Sequence, residues 1–187
     1  MDGRRRRSKE SRARIVRAVL ELIRSGNATP SAEAVAARAD IGLRTVFRHF
    51  DNMESLYREI GAQMLAELLP IAEKPFAPGD LKRLLAEMTQ RRIRIFERIM
   101  PIKIAADARR AQSPYLAEQA AFFTRQQRLA LHRVVPKEKQ NDAVFFESLD
   151  LVLSFDTWRR LRKDQELSLS RAKRVLQHLI GALLAAG

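Results

Sequence analysis

The sequence contains no cysteine. Disulfide frameworks, thiolate metal sites and a cysteine nucleophile are therefore excluded, and the composition suits a reducing cytoplasm, where the chain is expected to reside. No run of about 18 apolar residues occurs, so no segment is expected to cross a membrane. The charged N-terminus leads into apolar residues interrupted by Arg17, Glu21 and Arg24, which argues against a secretory signal. Strand signals are scarce too, with no sustained period-two alternation and no Asn-Gly or Asp-Gly turn between apolar runs. The three histidines, at 49, 132 and 178, stand in no metal-binding spacing. Neither a Gly-rich phosphate loop nor a Gly-x-Ser-x-Gly elbow is present. No cofactor and no enzymatic activity are expected.

What is present is helical spacing and positive charge. With 187 residues, 46% of them hydrophobic, the chain can build a substantial core. The net charge of +13 favours a polyanionic partner, either nucleic acid or an anionic membrane surface. Residues 1–24 hold nine Arg or Lys against three Asp or Glu, whereas residues 25–58 hold four of each and cancel.

Ile15, Val19, Leu22 and Ile23 form an apolar helical stripe that Ser25-Gly26-Asn27 should stop. Ser31 is a suitable N-cap for a short second helix with Val35, Ala36 and Ala39 inward. Asp40-Ile41-Gly42 reads as a tight turn, and RTVFRHF at 44–50 as a third short helix. Asp51-Asn52 should cap a fourth helix, which ends near Pro70. Further helices are expected over about 80–100, ended or kinked by Pro101, and from Ser113-Pro114 to about 134. Two more are expected, over about 141–164 and 169–185.

Three short helices with a turn before the third describe a helix-turn-helix unit, whose third helix enters the DNA major groove. The third helix divides accordingly. Ile41 and Val46 can face the first helix, while Leu43, Arg44, Thr45 and Arg48 can face outward. Arginine suits guanine edges, and a threonine methyl suits thymine.

SAEAVAARADIGLRTVFRHF at 31–50, followed by DNMESL, resembles the DNA-binding domain of the TetR family of transcriptional regulators. Ser31, Val35, Ala36, Ala39, Ile41, Thr45, Val46, Phe47, His49 and Phe50 carry the likeness. Asp40 replaces the usual turn glycine, Gly42 a frequent serine and Met53 a usual lysine. The resemblance implies that Phe47 and His49 touch the sugar-phosphate backbone and that Ser31 caps its helix beside a phosphate. LSFDTWRRLRKDQELS at 153–168 is similar to the penultimate helix of many members. The expected architecture is all-α, with a DNA-binding domain over 1–58 and a helical effector-binding and dimerisation domain over 59–187.

Several residue sets stay open at this level. Arg4, Arg5, Arg6 and Arg7 suit a minor-groove arm, a disordered tail or a membrane-surface patch. His49 suits a phosphate contact or a helix cap. Arg91, Arg92, Arg94 and Arg98 suit a solvated face, or an inward arginine for an anionic ligand. Met88, Phe96, Met100, Tyr115, Phe122, Phe123, Phe155 and Trp158, with Phe145 and Phe146, suit plain core or the lining of a cavity. The resemblance implies a cavity, which would take a hydrophobic or aromatic effector. Leu149, Leu153, Leu176, Leu179, Ile180 and Leu183 suit either monomer core or the dimer bundle that the resemblance implies. The expected function is that of a homodimeric repressor on a palindromic operator, released by a small molecule. The alternatives are an activator or ligand-independent regulator of the same fold, or a basic helical protein at a membrane surface.

Overall fold

The computed structural model describes residues 2–186, with side chains from Arg5 onward. Arg4, expected on the basic arm, lies outside the described side chains. Among the described residues there are ten α-helices and no strand. They are α1 (Asp2–Arg24), α2 (Ala32–Ala39), α3 (Leu43–His49), α4 (Met53–Ala72), α5 (Leu81–Arg109), α6 (Pro114–Val134), α7 (Lys137–Gln140), α8 (Ala143–Val152), α9 (Phe155–Arg159) and α10 (Leu169–Ala186). A 3-10 turn, Arg110–Gln112, precedes α6, and a π-helical stretch, Arg160–Asp164, follows α9. The all-α expectation is met.

The helix limits follow local chemistry. Ser31 accepts from the Ala34 amide at 3.2 Å and starts α2. Asn52 accepts from the Ser55 amide at 2.9 Å at the head of α4. Ser113 accepts from the Leu116 amide at 3.3 Å, with Pro114 as the first residue of α6. Each side chain satisfies a first-turn N–H that has no carbonyl partner within its helix.

Two expectations need correction. α4 ends at Ala72, near Pro70 as expected, but Pro101 does not end its helix, since α5 runs to Arg109. Proline forfeits one intrahelical bond, and apolar residues on both sides of Pro101 still hold their turns. Ile99 and Met100 before it and Ala105 after it are all buried. The single helix expected over 141–164 is interrupted instead. The Ser154 hydroxyl accepts from the Thr157 amide at 3.1 Å and restarts the chain as α9.

The chain forms two compact units, residues 1–69 with 99–120 and residues 70–98 with 121–187. The first therefore contains more than residues 1–58. In its core Ile15, Val19, Val35, Val46, Phe50 and Leu56 pack together, and Ile60 and Ala105 join the same cluster. Polar contacts add to this. Ser113 Oγ donates to Glu54 at 2.9 Å, Arg58 pairs with Glu54 at 3.0 Å, and the Arg58 guanidinium lies 4.3 Å from the centre of the Tyr115 ring. Hydrogen bonds from Ser113 and Arg58 hold the Glu54 carboxyl below the usual carboxylate range.

The second unit has its own core of Leu85, Met88, Leu131, Phe145, Phe146, Leu149, Leu153 and Ile180. Trp158 is fully buried, and its indole N–H donates to Glu97 at 2.8 Å. Arg162 donates to the same carboxylate at 2.9 Å and holds the π-helical stretch in place.

The turn between α2 and α3 carries visible strain. Asp40 adopts the left-handed conformation, φ 51° and ψ 56°. Arg14 offsets it by donating to the carbonyls of Ala39 and Asp40, the latter at 3.0 Å. Asp40→Gly should therefore leave stability unchanged or raise it, within about 1 kcal/mol. Asp40→Val should lower it by about 1–2 kcal/mol. Urea unfolding midpoints check this, and equal midpoints for the two variants would mean that the turn is unstrained.

Candidate nucleic-acid interface

The helix-turn-helix lies wholly in the first unit. α2 packs against α1 and α3, and α3 also packs on α1. The short α3 is anchored by Val46, 2% exposed, and by Phe50 just past its end, also 2% exposed. Ile41 lies against the same cluster. These anchors fix which face of α3 is left over.

That remaining face carries Leu43 at 37% and Phe47 at 46% exposure. Arg44 and Arg48 are exposed beside them, and Thr45 is half-buried. Neither arginine makes a hydrogen bond or ion pair with another described residue. Two unpaired like charges at i and i+4 repel slightly in an isolated helix.

His49 closes α3 and is half-buried. Its Nε2 is buried and has no hydrogen-bond partner. Desolvation, with smaller contributions from Arg48 and Arg12, pushes its pKa below the ordinary value. In the free protein the ring is thus held neutral near Arg48. Ser31 is exposed at the head of α2, where its hydroxyl already serves as the cap.

The basic arm is the N-terminal continuation of α1, not a separate segment. Arg5, Arg6 and Arg7 are exposed on its first turns, and Arg6 faces Glu10 at 3.7 Å.

Two α1 arginines that appear in the sequence as part of the general basic charge are instead tied to the motif. Arg12 donates to the His49 carbonyl at 2.9 Å and to Glu59 at 2.9 Å. Arg14 closes the α2–α3 turn, as described above. Spacing could have revealed Arg12, which precedes Val16, Val19 and Ile23 along the buried stripe of α1 at helical intervals.

The residues expected around an effector divide between the two units. Met100 and Tyr115 belong to the first, whereas Met88, Phe96, Phe122, Phe123, Phe155 and Trp158 belong to the second. In the second unit the rings of Phe96, Phe123 and Phe155 meet edge to face, with centroids 5.5–6.4 Å apart. One turn before Phe96 on α5 stands Arg92, only 7% exposed, donating to the carbonyls of Leu153 at 2.9 Å and Gln127 at 2.6 Å. Burial pushes its pKa down to about 10, which still leaves it cationic at neutral pH. Arg92 thus departs from the solvated-face reading, whereas Arg94 and Arg98 are exposed.

The residues expected at a dimer interface fare unequally. Leu149, Leu153, Leu176 and Ile180 are at most 7% exposed and pack inside the monomer, so the chain itself covers them. Leu179 is 37% exposed and Leu183 half-buried. Val144 at 78% and Leu151 at 67% were not anticipated and stand out on α8. α8 packs on α10, and that packing uses much of the apolar arc of α10 within one chain.

These features describe an all-helical fold with an exposed, cationic third helix in a helix-turn-helix. The fold is shared with a crystal structure of a transcriptional regulator from Rhodococcus sp. Rha1. The two chains are 21% identical with a TM-score of 0.66, over 94% of this chain and 96% of that one. No family model and no curated protein matches the sequence.

Because the folded pKa of His49 is lowered, the unfolded chain takes up this proton first as pH falls. The contribution of neutral His49 is therefore complete above the unfolded value of about 6.5 and is lost as pH drops below it. Between pH 7 and pH 5, wild type should lose more urea stability than His49→Gln. Parallel pH profiles would mean that His49 is not desolvated as described.

Proposed function

We propose that this chain is a sequence-specific DNA-binding transcriptional regulator of the TetR type. It reads DNA as a homodimer on a palindromic operator and acts as a repressor. The observation that carries the reading is the outer face of α3, where Arg44 and Arg48 are exposed without intrachain partners beside exposed Leu43 and Phe47. Arginine forks match guanine edges in the major groove, and apolar contacts match thymine methyls. Thr45 joins that surface, while Phe47, His49 and Ser31 border it toward the phosphates. The likeness in fold to a chain described as a transcriptional regulator supports this reading.

Dimerisation would use α8 and α10 through Val144, Leu151 and Leu179, which the monomer leaves uncovered. Two copies related by a two-fold axis would then present their α3 helices to successive major grooves, about 34–36 Å apart. The aromatic residues of the second unit suit a hydrophobic or aromatic effector. Such a ligand releases DNA by binding better to a state with another spacing, and no covalent chemistry is needed.

Selection of bound sequences from random duplex DNA at physiological salt should return a palindrome. On that site, Arg44→Ala and Arg48→Ala should each lose about 1–3 kcal/mol and relax base preference at one position per half-site. Binding without any preferred sequence would remove the regulator reading and favour general polyanion binding. Equal losses on all sequences would make that arginine a phosphate contact.

Removing residues 1–7 should weaken binding to every duplex alike and flatten the dependence of affinity on salt, as loss of phosphate neutralisation requires. An unchanged salt slope would leave the arm without a role on DNA.

A further inference from the structure

Arg12 joins three elements through one rigid group. Its guanidinium donates to the backbone carbonyl of His49 at the end of α3 and to Glu59 on α4, each at 2.9 Å. It also lies 4.3 Å from the centre of the Phe50 ring, which is buried in the core beside α3. A planar fork can make these contacts together, whereas a lysine ammonium cannot. α3 has only seven residues, and its N-cap, Gly42, supplies no side-chain hydrogen bond. A helix this short has little stability of its own, so its direction depends on what holds its ends. At the C-terminal end that hold is Arg12, and Glu59 keeps Arg12 turned toward it.

We infer that the Arg12–Glu59 pair is a positioning device for the reading face of α3. It sets the angle at which Arg44 and Arg48 meet base edges, and so governs sequence discrimination without itself touching DNA. The inference rests on the reading of the chain as a sequence-specific DNA binder. Arg12 belongs to the same helix as the basic arm, and the opposing possibility is that it is one more phosphate contact. The two roles differ in sign. Glu59→Gln removes a negative charge, so under the phosphate role it should strengthen binding to all DNA. Under the positioning role it frees Arg12 from its partner and weakens the specific complex.

The experiment uses the full chain and four proteins: wild type, Glu59→Gln, Arg12→Lys and Arg12→Met. Affinity for the selected operator and for a shuffled duplex is measured across a salt series. The expected result is a fall in the operator-to-shuffled ratio of about tenfold in all three variants, comparable to losing one good base contact. The shuffled-duplex affinity should hold, and the salt slope should not decrease. A partly unfolded variant would lose both affinities in proportion and keep the ratio, so destabilisation alone cannot imitate the result. If Arg12→Met does not fold, Glu59→Gln and Arg12→Lys decide the question. Tighter binding by Glu59→Gln, or a salt slope reduced by about 0.9 in Arg12→Met, would overturn the inference and make Arg12 a phosphate contact. A ratio equal to that of wild type in Glu59→Gln and Arg12→Lys would overturn it as well. Amide hydrogen exchange without DNA tests the pin by itself, since α3 amides should exchange faster in Arg12→Lys than in wild type. If wild type showed no sequence preference but α3 exchanged faster, the regulator reading would fail and the pin would stand.

Discussion

Every helix leaves carbonyls at its C-terminal end without N–H partners, and in this protein arginine answers them repeatedly. Arg14 reaches the end of α2, Arg12 the end of α3, and Arg91 the carbonyls of Ala72, Lys74 and Pro75 where α4 runs out. Arg92 reaches Leu153 at the end of α8. The negative end of each helix dipole favours a cation there, and the guanidinium fork can serve two acceptors at once. A fold of many short helices depends on such closures, because apolar packing alone does not satisfy main-chain oxygens near the surface.

This use of arginine changes what the composition means. A net charge of +13 suggests a polyanionic partner, yet part of the charge is structural. Arg12, Arg14, Arg91, Arg92 and Arg162 are directed at the chain's own carbonyls, and Arg128 is held between Glu147 and Asp150. Exposed arginines and lysines remain on α5, α6 and α10 as well as at the start of α1 and on the outer face of α3. The charge count alone therefore selects no surface, whereas the unpartnered arginine pair on α3 does so for the proposed DNA contact.

The parts of the fold that were legible in the sequence are those set by neighbours in the chain. Ser31, Asn52 and Ser113 act on amides three residues ahead, and the apolar intervals of α1 and α10 identify their buried stripes. What escaped depends on distant residues. Pro101 looks like a stop, and packing of Ile99, Met100 and Ala105 carries α5 past it. Ser154 offered a cap signal inside a run of apolar residues, where the apolar period dominated the reading. Four of the six residues expected at an interface on the last helices are monomer core because α8 lies against α10, a pairing that no local pattern encodes. On the candidate site, Leu43, Arg44 and Arg48 followed from helical period, whereas Phe47 came from the resemblance and Thr45, expected outward, is half-buried. The support of α3 by Arg12 and Glu59, 47 residues apart in the chain, followed from neither.

A local conflict that the rest of the chain leaves unrelieved is informative in a way that a satisfied contact is not. Arg12 and Arg14 are charged and close to the motif, but each has a partner, so their placement explains itself. Arg44 and Arg48 repel one another on a helix too short to be stable alone, with exposed Leu43 and Phe47 adding apolar surface in water. The structure holds this arrangement in place through Val46, Phe50 and the Arg12 pin. Sequences that specify a fold agree across local and global levels, and departures concentrate where something outside the chain supplies the missing term. Under the proposed function a duplex would supply the missing terms, with phosphates and guanine edges facing the two guanidiniums and thymine methyls facing the apolar side chains. A membrane surface offers phosphates to the forks but neither guanine edges nor thymine methyls. The outer face of α3, more than the total charge, therefore carries the proposal of a DNA partner.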